Sequence, residues 1–535
     1  RNELYMLPFA LGILGLVYQF NRHKKDGIIT FMLFFFTGIA IAIYLNMYPL
    51  QPRERDYAFA GSTYAFAIGI DLGVLMVNDL LQKAVKGSAG IYASIALCLL
   101  AVPTIMAKEN WDDHDRSKKT IARATAYNTL MSCAPNAILF TFGDNDTYPL
   151  WYIQEVEGVR KDVRIVNTSL LGIDWYIDQL NYKINDAAAV PMIWKKQHYV
   201  GDRRNYMRYF DNPQIPKDRY FNLMEICNFI LSEEPTNRLR TMGGDMENYL
   251  PSKNFFVPTP DRSVLVQNGL LSANDSSALN MEMKFTFPKD VAYKDDIAVL
   301  NIVAAIAQDG WKRPVYFGAG MGDNYQGMND YLRLEGSVYR LVPFRPQTGR
   351  PSNPNEMGYV DAEKGYNLFM NTYSWGGAER KDVYFDEKNR QMLTAYRIDA
   401  ARIADELTAQ GKQAQAIQVL DKVVAGITRE AYAYDMPMYF VAMSYYRAGE
   451  LKKGRALAME ISKNMEDDIK YILSFSDEDV RQNNASDVQR DLTIINILQS
   501  VADQAGDKAT AQELSGKLQA LFQVVQTKIN MQMMQ

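Results

Sequence analysis

The sequence predicts a multi-domain protein: an α-helical transmembrane segment, then an α/β domain with a mostly parallel sheet, then an all-α TPR-like helical repeat. Three observations predict this order. Apolar segments fill the first 107 residues, strand and helix signals alternate after them, and the pattern is helical from about residue 391 to the end. We therefore predict domains at 1–107, 108–390 and 391–535.

The bulk composition excludes several classes of protein. Lys and Arg (58) nearly balance Asp and Glu (62), so the clustered basic excess of a nucleic-acid-binding protein is missing and we expect no nucleic-acid partner. A hydrophobic fraction of 48% excludes global disorder. Three cysteines without a CxxC motif predict neither a disulfide framework nor a zinc site. Pairing of Cys133 with Cys227 stays open, because it requires an oxidising compartment.

Four apolar segments occupy the first domain, at about 4–20, 28–50, 64–81 and 90–106. A membrane-spanning helix needs roughly 17 to 25 apolar residues, so about four transmembrane helices are predicted. The third segment contains Asp71 and Asn78, and its alternative interpretation is an interfacial or buried helix.

The loops between these segments predict the orientation. "NRHKKDG" and "QKAVKGSAG" carry an excess of positive charge, which places them in the cytoplasm by the positive-inside rule. The middle loop and everything after residue 106 then face outward. We expect a multi-pass inner-membrane protein with its C-terminal domains in the periplasm. The opening "RNELYM" has neither an initiator Met nor a signal peptide, so we also expect the C-terminal piece of a longer protein.

The second domain opens with a βαβ pattern. "NAILFTFG" predicts a buried strand, "DNDTYP" a turn and "LWYIQEVEG" a helix, and "DVRIVNTSLL" and "DWYIDQLNYKI" predict a second strand and helix. Such a unit implies a parallel pair with a right-handed crossover. Further strands are predicted at "FFVPT", "VLVQNG", "MEMKFTFP" and "RPVYFGAG", a helix at 295–310, a turn and strand at 331–343, and a loop at 344–365.

The third domain predicts three helix pairs, each with a glycine in its turn: Gly411, Gly449 and Gly506. Stacked helix pairs form a small solenoid with a concave face, which is TPR-like although the spacing is irregular. The alternative is a plain helical cap on the α/β domain.

The first candidate site lies between the second and third apolar segments. Arg53, Glu54, Arg55 and Asp56 are consecutive, and Tyr57 follows them. Arginine binds phosphate oxygens through two parallel hydrogen bonds, so this loop fits the phosphate of a lipid-linked donor, with the acids orienting the arginines. The alternative is an internal ion-pair network between two helices.

The second candidate site is Asp144, Asn145 and Asp146, between the first strand and its helix. Open α/β sheets bind ligands at the carboxyl ends of their strands, where these oxygens fit a sugar or, less readily, a divalent cation. The alternative is a helix cap or turn. His114 among three acids reads as a solvated linker rather than a metal site, and no nucleophile elbow, P-loop or HExxH motif identifies a catalytic residue.

Three stretches together resemble a known family: "QPRERDYAFAGSTYAFAIGIDLG", "ILFTFGDNDTYPLWYIQEVEGVRKDVRIVNTSLLGIDWYI" and "YLRLEGSVYRLVP". They resemble the C-terminal half of bacterial membrane proteins with an uncharacterised domain, which are related to transmembrane protein 260, a protein O-mannosyltransferase. The resemblance covers most of residues 1–345 and the helical tail.

This resemblance implies a GT-C type glycosyltransferase that uses a polyprenyl-phosphate sugar, modifies an acceptor protein and needs no resident cofactor. The catalytic acid of such enzymes lies in an early external loop that matches no part of this sequence, so the catalytic residue stays unknown. We assign substrate binding to the second candidate site and to three further residues of the second resembling stretch. The full set is Asp144, Asn145, Asp146, Trp151, Asp174 and Trp175. The alternatives are a membrane-anchored scaffold without enzymatic activity and a protein- or glycan-binding module.

Overall fold

The computed structural model of the chain describes residues 2–47, 55–211, 213–240, 244, 246–271, 279, 281–322, 324–345 and 357–529. The chain divides into two compact units, Arg1–Lys118 and Lys119–Gln535, and each is described by itself. The first consists of apolar helices, and the second combines a mixed α/β region with a helical C-terminal part.

The described residues of the first unit form six α-helices. They are α1 Leu7–Arg22, α2 Lys24–Thr37, α3 Ile39–Leu45, α4 Ala60–Leu81, α5 Ser88–Leu99 and α6 Ile105–His114. Three continuous stretches, Lys24–Leu45, Asp56–Leu81 and Ser88–His114, are long and apolar enough to cross a membrane. Helix α1 has 16 residues, a length of about 24 Å against a hydrocarbon core of about 30 Å. The chain is therefore a membrane protein by the length and composition of three helices.

Glycines bring α1 and α4 into backbone contact. A Cβ atom added to Gly15 would lie 1.7 Å from the carbonyl oxygen of Gly69, and one added to Gly73 would lie 2.2 Å from the carbonyl oxygen of Leu11. Helices in lipid associate mainly through close van der Waals packing, which small residues permit. The pattern of glycines therefore determines how closely these two apolar helices approach.

The strands of the second unit are, among the described residues, β1 Ile138–Thr141, β2 Arg164–Asn167, β3 Tyr206–Arg208, β4 Phe221–Asn222, β5 Arg238–Arg240, β6 Met246–Asn248, β7 Asn254–Pro258, β8 Glu282–Thr286, β9 Val291–Tyr293, β10 Val315–Gly318, β11 Leu332–Glu335, β12 Val338–Leu341 and β13 Tyr359–Val360. Six of them form the central sheet, in the order β13-β11-β12-β10-β1-β2. Strand β1 pairs in parallel with both β2 and β10, and the hairpin β11–β12 joins β10 in antiparallel orientation. The remaining strands form three small sheets.

Helices surround this sheet and then continue alone to the end of the described chain. They are α7 Ile121–Ser132, α8 Gly143–Val156, α9 Asp174–Leu180, α10 Lys196–Tyr199, α11 Leu223–Leu231, α12 Arg262–Gln267, α13 Lys294–Gln308, α14 Ala362–Asn371, α15 Glu387–Ala409, α16 Gln413–Gly426, α17 Met436–Arg447, α18 Leu451–Ile472, α19 Asp477–Asp479, α20 Ala485–Gln504 and α21 Lys508–Ile529. The β1–α8–β2 unit confirms the predicted parallel βαβ pattern, although the sheet as a whole is mixed.

Four local predictions are wrong, the last of them in part. "VLVQNG" lies in α12 rather than in a strand, because a short apolar run does not distinguish the two. "DNDTYP" forms the first turns of α8, where acids interact favourably with the helix dipole. Residues 331–343 form a complete hairpin rather than a turn and one strand, with Gly336 at a φ of 73° in its two-residue loop. The predicted loop 344–365 contains β13 and the start of α14, and residues 346–356 lie outside the described chain.

The helical part contains the three predicted helix pairs, α15–α16, α17–α18 and α20–α21, with the predicted glycines in their turns. Helix α19 and a π-helical turn at Val480–Asn484 stand between the second and third pairs. The spacing of the glycines is irregular chiefly because α18 and α20, with 22 and 20 residues, are longer than α16 and α17, with 14 and 12. TPR-like stacking itself stays a prediction.

A buried carboxylate joins the hairpin to the rest of the sheet. Glu335, 1% exposed, accepts hydrogen bonds from Arg333 (2.6 Å), Lys364 (2.5 Å) and Tyr316 (2.6 Å), and Arg340 lies 3.8 Å away. Burial alone would raise the pKa of Glu335, but the cations Arg333, Lys364 and Arg340 lower it to about 2. This group therefore connects β10, β11, β12 and α14.

We predict that Glu335→Gln destabilises the second unit by about 3–5 kcal/mol, because it leaves buried cations without their counter-charge. The exposed Glu363→Gln on α14 is the matched control and should change stability by less than about 0.5 kcal/mol. Because the pKa of Glu335 is lowered to about 2, its contribution is present above the unfolded pKa and is lost as the pH falls toward 2. Thermal unfolding of the detergent-solubilised chain at several pH values measures both effects, and equal losses in the two variants would contradict the role of Glu335.

We also predict that Gly15→Leu separates α1 from α4, since its side chain would occupy the position of the Gly69 backbone. Ala93→Leu, at an exposed position of α5, adds the same bulk and should be tolerated. The readout is the cross-linking yield between cysteines placed on α1 and α4 in membranes. An unchanged yield for Gly15→Leu would show that the two helices do not pack through this glycine.

Candidate functional site

The carboxyl ends of the three parallel strands form one edge, which we call the polar edge. It consists of the segments at the ends of β1, β2 and β10, including the first residues of α8 and α9: 142–146, 168–175 and 318–322. Ser169 accepts a hydrogen bond from the Gly143 amide (3.1 Å), and the Thr168 hydroxyl donates to the Thr141 carbonyl (2.9 Å). These two bonds connect the loops after β1 and β2.

Helix α8 begins directly at this edge. Thr147 donates to the carbonyl oxygen of Gly143 (2.6 Å) and shares a second hydrogen bond with the Thr141 hydroxyl (2.7 Å). The buried Thr147 therefore fixes the first turn of the helix to the end of β1. The sequence alternative of a cap residue does not hold for Asp144, because Phe142 occupies the N-cap position.

The three predicted polar residues are exposed in this first turn. Asp144 accepts a hydrogen bond from the Asn145 amide (2.9 Å). The Asp146 carboxylate lies against the loop after β10, so close that a Cβ added to Gly320 would be 2.0 Å from its Oδ2. Desolvation and the neighbouring Asp144 carboxylate raise the pKa of Asp146. The edge thus presents two carboxylates and an amide, which suit hydrogen bonding to hydroxyl groups.

The two predicted tryptophans lie on α8 and α9, the helices that begin at the polar edge. Trp175 at the start of α9 is 53% exposed, and its ring meets Tyr176 edge to face at 5.8 Å. Tyr176 accepts a hydrogen bond from the amide of Asn167 (2.8 Å), which holds α9 at the end of β2. Trp151 is half-buried against the core and stacks on Tyr148 at 5.4 Å. Trp175 is therefore the more accessible of the two predicted tryptophans.

The Asp174 carboxylate is hydrogen-bonded within the protein. It accepts hydrogen bonds from the Gly201 amide (2.5 Å) and from the Lys294 ammonium (3.1 Å). Lys294 is buried and also donates to the carbonyl oxygens of Tyr199 and Gly201. Asp174 thus neutralises a buried lysine, and its assignment to substrate binding stays a prediction.

The other predicted site lies in the first unit. Arg53 and Glu54 are outside the described residues, whereas Arg55, Asp56 and Tyr57 are exposed. Asp56 and Tyr57 belong to the 3-10 turn that begins the candidate span Asp56–Leu81. The described part of this charged loop therefore stands at the end of an apolar helix.

Among the described residues, no group of three or more His, Cys, Asp or Glu side chains could hold a metal ion. His114 instead contacts the carbonyl oxygen of Asn110 through its Nδ1 (2.9 Å). Cys133 and Cys227 are free and buried, and burial raises the pKa of each thiol to about 12.

Two residues of the polar edge, Ser169 and Gly320, are absent from the sequence-based assignment. Both belong to loops after other strands, and they reach Gly143 and Asp146 only because β2 and β10 flank β1 in the sheet. The "FGAG" at the end of β10 could have indicated this contact, since a glycine at a strand end permits close approach of another group.

The fold and site define a class of protein: a membrane protein with an α/β unit. Its polar edge lies at the carboxyl ends of the parallel strands. The family described as TMEM260-associated domain 2 matches residues 122–364, which include this edge and the Glu335 hairpin. The match confirms the resemblance and is consistent with a member of a TMEM260-like family. No curated protein and no solved structure matches the chain.

Proposed function

We propose that this chain is the C-terminal part of a GT-C type glycosyltransferase. It would transfer a sugar from a polyprenyl-phosphate donor to protein on the extracytoplasmic face of a multi-pass inner-membrane assembly. The observation that carries the proposal is the family match over 122–364, in a chain with three candidate membrane helices. The positive-inside pattern of the loops supports the periplasmic orientation.

The charged loop fits the donor. A lipid-linked phosphate lies at headgroup depth, and Arg55 stands exposed at the end of a candidate span. Arg53 and Arg55 together would bind the phosphate oxygens, and Glu54, Asp56 and Tyr57 would orient them. This arrangement would hold the leaving group, and the base that accepts the proton stays unassigned.

The polar edge fits the sugar or the glycosylated acceptor. Asp144, Asn145 and Asp146 offer hydrogen-bond partners for hydroxyl groups, and the exposed ring of Trp175 offers an apolar face. In transfer, an acceptor Ser or Thr oxygen loses its proton to a base and bonds to the anomeric carbon. The bond from that carbon to the phosphate oxygen breaks, and polyprenyl phosphate leaves. The role of this chain would be to position both partners.

A second candidate is a membrane-anchored scaffold without enzymatic activity. The three helix pairs between α15 and α21 favour it, because TPR-like stacking would create a concave face for a partner polypeptide. The same face would serve the transferase by holding the acceptor protein. Measured transfer therefore separates the two candidates.

We predict that Arg53→Ala with Arg55→Ala lowers sugar transfer by roughly 100-fold or more, because the donor phosphate loses its two guanidinium groups. The assay uses the full-length gene product in vesicles with radiolabelled polyprenyl-phosphate mannose and a periplasmic protein extract. Lys412→Ala with Lys452→Ala removes two exposed charges from the helical part and is the matched control. Wild-type transfer by the arginine variant would reject the donor role, and a wild-type protein inactive with every polyprenyl-phosphate sugar tried would favour the scaffold.

A glycine pair tests the polar edge. Gly320→Ala should displace the Asp146 carboxylate at little cost in stability, because the obstructing atoms belong to a movable side chain. Gly516→Ala on α21 is the control, since its added Cβ meets no atom within 4 Å and it lies outside the polar edge. We predict that Gly320→Ala raises the KM for acceptor by roughly tenfold while Gly516→Ala leaves it unchanged. Equal KM values with equal melting temperatures would mean that Asp146 does not contact the acceptor.

A further inference from the structure

Helix α8 exposes a row of large apolar side chains. Tyr148, Tyr152 and Val156 follow one another at intervals of four residues and are 54%, 50% and 68% exposed. Residues four apart lie on the same face of a helix. An exposed apolar patch of this kind usually marks a binding surface.

The loop after α9 extends this row. Tyr182 and Ile184 are 69% and 41% exposed, with the exposed Lys183 between them. The Asn185 amide donates to Glu155 Oε1 (2.6 Å), which places the loop against the last turn of α8. We call Tyr148, Tyr152, Val156, Tyr182 and Ile184 the aromatic face.

Charges beside the aromatic face are largely paired. Arg123 on α7 binds both oxygens of Glu157 (2.8 and 2.6 Å). The pKa of Arg123 is raised chiefly by this hydrogen-bonded pair and also by nearby Tyr152, which places the pair beside the face. Lys183 has a long stem that can extend past apolar neighbours toward water or phosphate. The surface is therefore poorly suited to a strongly charged partner.

We propose that the aromatic face rests on a lipid surface, with its rings at the level of the headgroups. Tyr side chains favour that level because the ring is apolar and the hydroxyl is polar. The connection between a candidate span and this unit is short. Six residues separate His114, the end of a candidate span, from Ile121, so the connection reaches at most about 25 Å.

Contact between the aromatic face and lipid does not require glycosyl transfer. The chemistry of the face predicts which lipids it contacts. Since apolar and aromatic side chains dominate the face, contact should occur on vesicles of phosphatidylcholine alone. Anionic lipid should add little, because the exposed Lys183 is offset by the exposed carboxylates of Asp144 and Asp146 on α8.

The test uses the full chain reconstituted into phosphatidylcholine vesicles, with Val156→Cys carrying an environment-sensitive fluorophore. The native thiols at Cys98, Cys133 and Cys227 are buried, so they should not compete for the label. Val524→Cys is the matched control, because Val524 is a 54% exposed valine on α21. Nitroxide-labelled phosphatidylcholine then reports contact with lipid.

We expect the Val156 label to be quenched at least about twofold more than the Val524 label, since interfacial side chains reach about 5–10 Å into the headgroup region. Tyr152→Ser with Tyr182→Ser should reduce that quenching. Equal quenching at both positions would overturn the proposal. So would a Val156 label that is shielded from a water-soluble quencher but not reached by the nitroxide, because another polypeptide would then cover the face.

Discussion

The buried carboxylate of Glu335 is the interaction on which the α/β unit depends. Arg333 and Arg340 stand directly opposite each other on β11 and β12, a pairing that repels unless a counter-charge lies between them. Glu335 supplies that charge and also binds Tyr316 of β10 and Lys364 of α14. Strand β10 ends only two residues beyond Tyr316, at Gly318, where the polar edge begins. The cluster thus supports the floor of the candidate site without belonging to it.

One helix relates the two surfaces of this unit. The first turn of α8 carries Asp144, Asn145 and Asp146 at the polar edge, and its outer face continues with Tyr148, Tyr152 and Val156. Polar groups that suit a sugar are therefore adjacent to a face that suits lipid. A donor whose phosphate lies among headgroups would favour such an arrangement, since its sugar need not leave the interface to be recognised.

The sequence predicts those elements whose signals are local. The long apolar segments, the β1–α8–β2 unit and the glycine turns of the helix pairs each follow from periodicity and turn chemistry, and the structure contains them. Short elements were less predictable. Strand β11 alternates apolar and charged residues over only four positions, and α12 places only Leu265 fully in the core, so neither pattern is long enough to identify its element.

The residues of the candidate site also differ in whether a local pattern predicts them. Asp144, Asn145 and Asp146 were predictable because they follow a recognisable strand. Ser169 and Gly320 were not, because their contacts depend on the order of strands in the sheet, which no local pattern determines. Asp174 shows the converse: it was assigned from its motif, yet its contact with Lys294, 120 residues away, gives it a structural role.

The most direct measurement of the central claim, that the polar edge contacts the transferred sugar, is photo-cross-linking. The full-length protein in vesicles would receive a polyprenyl-phosphate sugar with a photoreactive group on its sugar ring, and mass spectrometry would locate the adducts. The account predicts adducts within 142–146, 168–175 or 318–322 that unlabelled donor suppresses. Adducts confined to other parts of the chain, or insensitive to competition, would contradict it.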